Sequence, residues 1–237
     1  MKFSIVTCTW NSAEWLAESI ASVDAQQDVE VERIFVDGGS EDATLDMIGA
    51  VCGDVKVLNN VRGGISNAMN EGVRVATGDV IAHLHSDDFY VDGTVLQQVR
   101  AGLEGTPGAK WLYGRCKSVV EGELVDNDYE TKPFSWPNLI RGNIIPHPAT
   151  FIDRKTFLAL GGFSTKLKYV MDYDLWLRLA REHSLSSTNI WACHAECLRV
   201  RMDYASANPV ERMEHRARHM YRSLRLMSDQ KRMRLSV

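Results

Sequence analysis

Val31-Glu32-Arg33-Ile34-Phe35-Val36-Asp37-Gly38-Gly39-Ser40 is an apolar, β-branched run that ends in an acid and a turn. A helical pattern opens after it near Asp42, with Leu45 and Ile48 set to one face. A strand that feeds a helix through a short acidic turn is half of a βαβ unit, and the same order recurs on both sides of it. Upstream, Phe3-Ser4-Ile5-Val6-Thr7 reads as a first strand. Asn11 and Glu14 have the spacing of a capping box, and Leu16, Ile20 and Val23 follow at helical intervals. Downstream, Val55 to Leu58 reads as a third strand, and Gly63-Gly64 opens a helix through Asn67, Met69 and Val73 that stops at Thr77-Gly78. Val80 to Leu84 is a fourth strand, delivered into Ser86-Asp87-Asp88. The alternation predicts an α/β fold with a Rossmann-like, mostly parallel central sheet flanked by helices.

Beyond Leu84 the pattern loosens. A strand is expected around Trp111 to Val120, followed by a Pro-rich stretch from Pro133 to Pro148 and a short strand at Thr150-Phe151-Ile152. A well-patterned helix runs from Asp172 to about Glu182, with Leu175, Leu179 and Ala180 available to one face. There is no internal repeat and no low-complexity linker. At 237 residues, 45% hydrophobic and 24% charged, the chain suits one compact domain over 1–208 with a C-terminal arm over 209–237.

The arm carries eight Lys or Arg against three acids, a net +5, which leaves the first 208 residues at −9 within an overall −4. An acidic body argues against nucleic acid as the partner. Met213, Ala217, Met220, Leu224 and Met227 fall on one stripe of a helix flanked by arginines. That stripe suits docking on an anionic membrane, on the domain itself or on a second subunit, as in a homodimer. No run approaches the roughly 18 apolar residues of a membrane span, and the start shows no signal-peptide pattern, so a cytoplasmic protein is expected, with peripheral membrane contact through the arm. The five cysteines are odd in number and form no CxxC pair, which reads as buried, reduced thiols.

Ligands of open α/β sheets bind at the carboxyl ends of the strands. Two such ends here carry acids, Asp37 and the pair Asp87-Asp88. Adjacent carboxylates at a strand end suit Mg²⁺ or Mn²⁺, which bind through one or two carboxylates and substrate phosphates. The same residues also suit a turn with a helix N-cap, and spacing alone does not separate the two. His83 and His85 share a strand face, but no third soft ligand follows at close spacing, which disfavours a transition-metal site.

Six blocks occur in order: Thr7-Cys8-Thr9-Trp10-Asn11, Val36 to Asp42, Gly64 to Gly72, Ala76 to Asp79, Ser86-Asp87-Asp88 and Asp172 to Leu179. Together they resemble a family 2 glycosyltransferase of the GT-A fold over about residues 3 to 201, most closely the short bacterial enzymes that build exopolysaccharide or O-antigen units. The resemblance implies a nucleotide-sugar donor, with UDP as the nucleotide, a glycan or lipid-linked acceptor, a divalent cation and inversion at the anomeric carbon. It implies nucleotide contacts from Thr7, Asp37 and Asp87, metal contacts from Asp88 and Asp87, and a catalytic base at Asp172; Asn11, Arg62 and Asn67, in or beside the same blocks, are further candidates for nucleotide contact. Asp174 is the rival base, two residues on at the same helix start. His147 stands where the family often has His near acceptor or donor, while a structural His bonding a backbone carbonyl fits it equally.

Several positions depart from the family pattern. Trp10 replaces a usual Tyr, Arg62 stands before Gly63-Gly64 where an acid is common, Asn67 replaces a frequent Asp, and His85 stands where Asn or Asp is frequent. Arg62 reads either as a phosphate contact or as a solvated loop residue. The processive members' Gln-x-x-Arg-Trp block is absent, which favours addition of a single sugar. A dehydrogenase is disfavoured because Thr7 to Asn11 lacks the glycines of a pyrophosphate loop. The rival from another class is a non-catalytic sugar-nucleotide-binding or assembly protein that retains the fold, which would have no use for a base at Asp172.

Overall fold

The computed structural model describes residues 1–120, 123–126, 134–167, 169–183 and 196–201. The arm over 209–237 and its apolar stripe lie outside these residues. In chain order the elements are β1 (Lys2–Thr9), α1 (Leu16–Asp24), β2 (Glu30–Asp37), α2 (Thr44–Gly49), β3 (Val55–Leu58), α3 (Ile65–Val75), β4 (Val80–His83), β5 (Phe89–Tyr90) and α4 (Val95–Glu104). They continue with β6 (Trp111–Tyr113), β7 (Arg115–Val120), β8 (Glu123–Asp126), α5 (Trp136–Arg141), a 3₁₀ turn at His147–Ala149, β9 (Thr150–Asp153), α6 (Arg154–Ala159), α7 (Met171–Glu182) and β10 (Glu196–Arg201).

A six-stranded sheet has the order β3-β2-β1-β4-β9-β6. Strands β1 to β4 pair in parallel, whereas β9 lies antiparallel between β4 and β6, so one strand of the six runs against the rest. This is the mostly parallel sheet expected from the alternation. Side chains alternate across it, as a pleated strand requires. Val6, Cys8, Ile81, Trp111 and Ile152 meet Ala68, Met69 and Val73 of α3 and Leu175, Trp176 and Leu179 of α7. On the other face, Phe3, Ile5, Ala82, Leu112 and Phe151 meet Val23 of α1 and Val95, Leu96 and Val99 of α4.

A second sheet, β5-β10-β7-β8, has four strands. The single strand expected over Trp111 to Val120 is therefore two. Gly114 separates β6 from β7, its N–H donating to Ala149 O at 2.8 Å, and the chain changes sheets there.

Two further expectations are corrected. Asn11 does not cap α1, because the helix starts at Leu16 with Trp15 at its N-cap, and Asn11 sits at φ 49° in the loop before it. In α2 the inward pair is Thr44 and Ile48, while Leu45 is exposed. Of the cysteines whose side chains are described, Cys8 and Cys116 are buried and Cys52 is exposed, all unbridged.

At the end of the sheet remote from the acidic strand ends, Glu32 is fully buried. Its carboxylate accepts from Ser4 Oγ, Lys56 Nζ, Thr77 and Gly78 N, tying β1, β2, β3 and the approach to β4 together. Burial alone would raise its pKa, but these donors, Lys56 first, hold it well below the ordinary carboxylate range.

Candidate active site

A cleft of about 560 Å³ opens at the carboxyl ends of β1, β2 and β4, where the topology of an open α/β sheet puts a ligand. Strand β1 and the turn after it contribute Cys8, Thr9 and Trp10 to its wall. The loop after β4 contributes His85, Ser86 and Asp87, and the approach to α3 contributes Arg62, Gly63 and Gly64. Trp10 is 68% exposed at the rim and presents a large apolar face to a ligand.

The wall formed by α3 has the chemistry that suits an anion. Gly63 and Gly64 have φ of 100° and 85°, a region that residues with a Cβ rarely occupy, and Gly64 is the N-cap of an 11-residue helix with no side-chain cap. The first amides of α3 therefore retain donor capacity at the positive end of the helix dipole, and Arg62, which also lines the cleft, carries its guanidinium to Gly39 in the turn after β2. Asn67 holds the loop by donating from Nδ2 to Arg62 O at 2.7 Å. Asn67 does not line the cleft, so its part is to shape the loop that does.

Asp37 is fully buried at the end of β2. Oδ1 accepts from Thr9 Oγ1 at 2.9 Å and from Ser40 Oγ, and Oδ2 accepts from Gly39 N at 2.7 Å and Ser40 N at 2.8 Å. Burial would raise its pKa, but the bonds from Ser40, Gly39 and Thr9 outweigh it and keep the group ionised. A base N–H can reach this carboxylate only by displacing one of those donors. Asn11 braces the same loop, accepting from Glu41 N at 2.9 Å and donating from its own N–H to Ser40 Oγ at 2.8 Å. Thr7 is buried two residues before Thr9 on β1, and Thr9 is the threonine at the cleft.

The paired acids part company. Asp87 is exposed and lines the cleft, whereas Asp88 is 2% exposed and turned inward. A tight turn causes this: Asp88 N donates to His85 O at 3.1 Å, so His85, Ser86 and Asp87 form the outer edge. Ser86 Oγ donates to Ser12 Oγ at 3.0 Å, and Ser19 Oγ to His85 O at 3.2 Å, fixing the turn to the segment after β1 and to α1.

Folding adds a third imidazole to the two read from β4. The His85 ring lies flat on His147, with centroids 5.3 Å apart and planes at 5°, and His83 is 5.7 Å from the same ring. Among the described residues, however, no group of three His, Cys, Asp or Glu side chains is arranged to hold a metal. His83 is buried against Phe157 and Phe163, which pushes its pKa down to about 3 and keeps it neutral.

His147 in turn packs 6.0 Å from Trp176, one turn along α7 from Asp172. Asp172 is half-buried at the start of α7; its Oδ2 accepts from Asn143 Nδ2 at 3.2 Å and its Oδ1 from Tyr173 N at 2.7 Å. Asp174 is engaged otherwise, accepting from Arg178 Nη2 at 2.8 Å and Nε at 3.1 Å. Arg178 also donates to Leu160 O and Gly162 O, both at 2.7 Å. The next residue, Phe163, exchanges two bonds with the Asn70 side chain of α3, at 2.8 and 2.9 Å. The segment 160–163 thus joins the helix that walls the cleft to the helix that carries Asp172.

The sequence reading missed Cys8, Thr9, Ser12 and Ala68 as cleft residues. Thr9 and Ser12 flank the Thr7 and Asn11 it named, and the Gly63-Gly64 pair ahead of a helix was the available signal for the α3 wall.

Comparison with known proteins agrees with this geometry. The family model described as Glycosyl transferase family 2 matches residues 4–109. An uncharacterised glycosyltransferase of Mycobacterium tuberculosis is 29% identical over 180 residues, 75% of this chain and 68% of that protein. Among solved structures, S. aureus TarS 1–349 in complex with UDP superposes with a TM-score of 0.62 at 20% identity, covering 84% of this chain and 58% of that one. The mannosyltransferase PcManGT from Pyrobaculum calidifontis, in complex with GDP-Man and Mn²⁺, gives 0.62 at 16% identity over 94% of this chain and 64% of that one. The chain thus spans less than two thirds of these two solved structures, and the likeness to them is one of fold, the expected GT-A architecture.

Proposed function

Since this chain belongs to glycosyltransferase family 2, we propose that it transfers a single sugar, with inversion, from a UDP-sugar to a hydroxyl of a glycan or lipid-linked acceptor in cell-surface polysaccharide synthesis. The observation that carries this reading is the cleft itself, in which one wall offers a cation and a helix N-terminus and the other offers Asp87. That is the arrangement a diphosphate needs: donors on one side, and a carboxylate to share a cation on the other.

In this reading Trp10 and the loop braced by Asp37 and Asn11 receive the nucleoside, while Arg62 and the first amides of α3 take the diphosphate. A divalent cation, Mn²⁺ or Mg²⁺, would be held at Asp87 with the phosphates, where it would offset the negative charge of the departing UDP. Asp172 accepts the proton of the acceptor hydroxyl as that oxygen attacks the anomeric carbon. The new C–O bond forms on the face opposite the breaking bond to the diphosphate, whose electron pair leaves with UDP. Attack from the opposite face inverts the centre.

Asp172 is favoured over Asp174 as base because Asp174 is tied to Arg178, which is itself tied to the 160–163 segment. Calorimetry of UDP with and without Mn²⁺, followed by a donor panel read as UDP release, tests the reading. Tighter UDP binding with Mn²⁺ and release from one donor class are expected. Equal affinity in chelator refutes the cation's part, and binding without release from any donor favours a non-catalytic binding protein. Among the described residues no helix is long and apolar enough to cross a membrane. Peripheral contact with an anionic membrane is proposed for the arm over 209–237 from its basic, amphipathic sequence.

A further inference from the structure

We infer that His85 is a ligand to the donor-site cation, so that the site is a His85–Asp87 pair that selects Mn²⁺ over Mg²⁺ in place of the two-carboxylate site read from Asp87-Asp88. The inference rests on the UDP-sugar reading above and concerns which residues of this chain meet the metal. The turn after β4 decides the matter: it sets His85 and Asp87 on the cleft wall and buries Asp88 to 2% exposure. The ionisable side chains that β4 delivers to the cleft are therefore one imidazole and one carboxylate.

The His85 ring is suited to this role. Its flat stack on His147 occupies a ring face, whereas a metal is taken by the in-plane lone pair of a ring nitrogen, so stacking and ligation do not compete. Stacking also restricts ring rotation, and Ser19 Oγ holds the His85 carbonyl, so the ligand is oriented before a cation arrives. Mg²⁺ favours an all-oxygen octahedral shell, while Mn²⁺ stands with the first-row metals whose affinities for mixed nitrogen and oxygen sites follow a graded order. Exchanging a carboxylate for a neutral imidazole also leaves the pair with one negative charge. The protein alone then binds the cation weakly, and the diphosphate completes the site.

Pulsed EPR of the full chain with UDP and Mn²⁺ tests the inference directly. A ¹⁴N modulation from a coordinated imidazole is expected, retained in His147→Phe and lost in both His85→Asp and His85→Asn. Calorimetry of UDP with each cation should show a preference for Mn²⁺ in the parent chain that falls in His85→Asp. Circular dichroism checks that each variant is folded, and the parent spectrum decides the point if none is. Manganese-dependent UDP binding without ¹⁴N modulation, or a modulation that persists in His85→Asp, overturns the inference and leaves the UDP-sugar reading standing. UDP binding that ignores Mn²⁺ overturns the inference together with the cation's part in the proposed function, and absence of UDP binding overturns the UDP-sugar reading itself.

Discussion

Replacing Asp172 by Asn separates chemistry from stability. The side chain keeps its size, and its amide oxygen still accepts from Tyr173 N. Asn143 Oδ1 is engaged by Ile145 N at 3.1 Å, so Asn143 cannot turn over, and its bond to position 172 is lost. On a half-exposed group that loss is worth about 1 kcal/mol or less. An amide cannot take a proton at neutral pH, so turnover falls by about 10²- to 10⁴-fold, or roughly 2.7 to 5.5 kcal/mol of barrier. Asp174→Asn has the opposite profile. It removes a partly exposed pair with Arg178, worth about 0.5 to 1 kcal/mol of stability, or roughly 1 to 4 °C in Tm for a domain of this size, with turnover unchanged. The assay is UDP release beside a thermal melt, with slow donor hydrolysis standing in for transfer where the acceptor is unknown. An active Asp172→Asn beside an inactive, fully folded Asp174→Asn refutes the assignment.

Arg62→Ala should weaken UDP binding by roughly tenfold or more, the loss of one charge-assisted hydrogen bond, without moving Tm; unchanged affinity in calorimetry would make Arg62 a solvated loop residue. Gly72→Ala in α3 would set a Cβ 2.4 Å from Val6 Cγ1 and 3.1 Å from Val36 Cγ2. An overpacking cost of about 1 to 3 kcal/mol against a helix gain of at most about 1 kcal/mol predicts a lower Tm, and a higher one would show that β1 yields. Glu32 has a depressed folded pKa, so its stabilisation is present above the unfolded value of about 4.3 and lost as pH falls below it. Glu32→Gln should flatten the acid side of the Tm–pH profile and lower Tm at pH 7, reflecting about 3 to 5 kcal/mol for a broken buried pair. For the arm, sedimentation with anionic but not neutral vesicles, abolished by truncation at Pro209, is the expected result. Truncation that instead changes the oligomeric state assigns the stripe to a subunit contact.

The sequence was most legible where structure is local. Through Val75 each strand feeds its own helix, and β1 to β4 each pair with a parallel neighbour, so a period read over ten residues suffices. It failed where long-range pairing decides. Trp111 to Val120 has one continuous β pattern, and only β9, arriving some 40 residues later, takes β6 into the first sheet while Gly114 bonds to Ala149 and β7 joins the second. Asn11 has the chemistry of a cap, but its side chain meets the backbone of Glu41 instead. Within the site, residues with distinctive chemistry, Asp87 and Arg62, could be named, whereas Cys8 and Ala68 line the cleft by position alone. The inward turn of Asp88 is invisible in a string where it stands beside Asp87.

The bonds around residues 160–163 also bear on how activity ends. Asn70 grips Phe163 from α3, and Arg178 grips Leu160 and Gly162 from α7. In the proposed reaction these bonds would make the gap between the cleft and Asp172 a strut rather than a hinge, and would set the reach from diphosphate to anomeric carbon. A strut also ties the two fates together. Heating should extinguish nucleotide binding and turnover at one temperature, because neither helix can leave its seat while the other keeps its own.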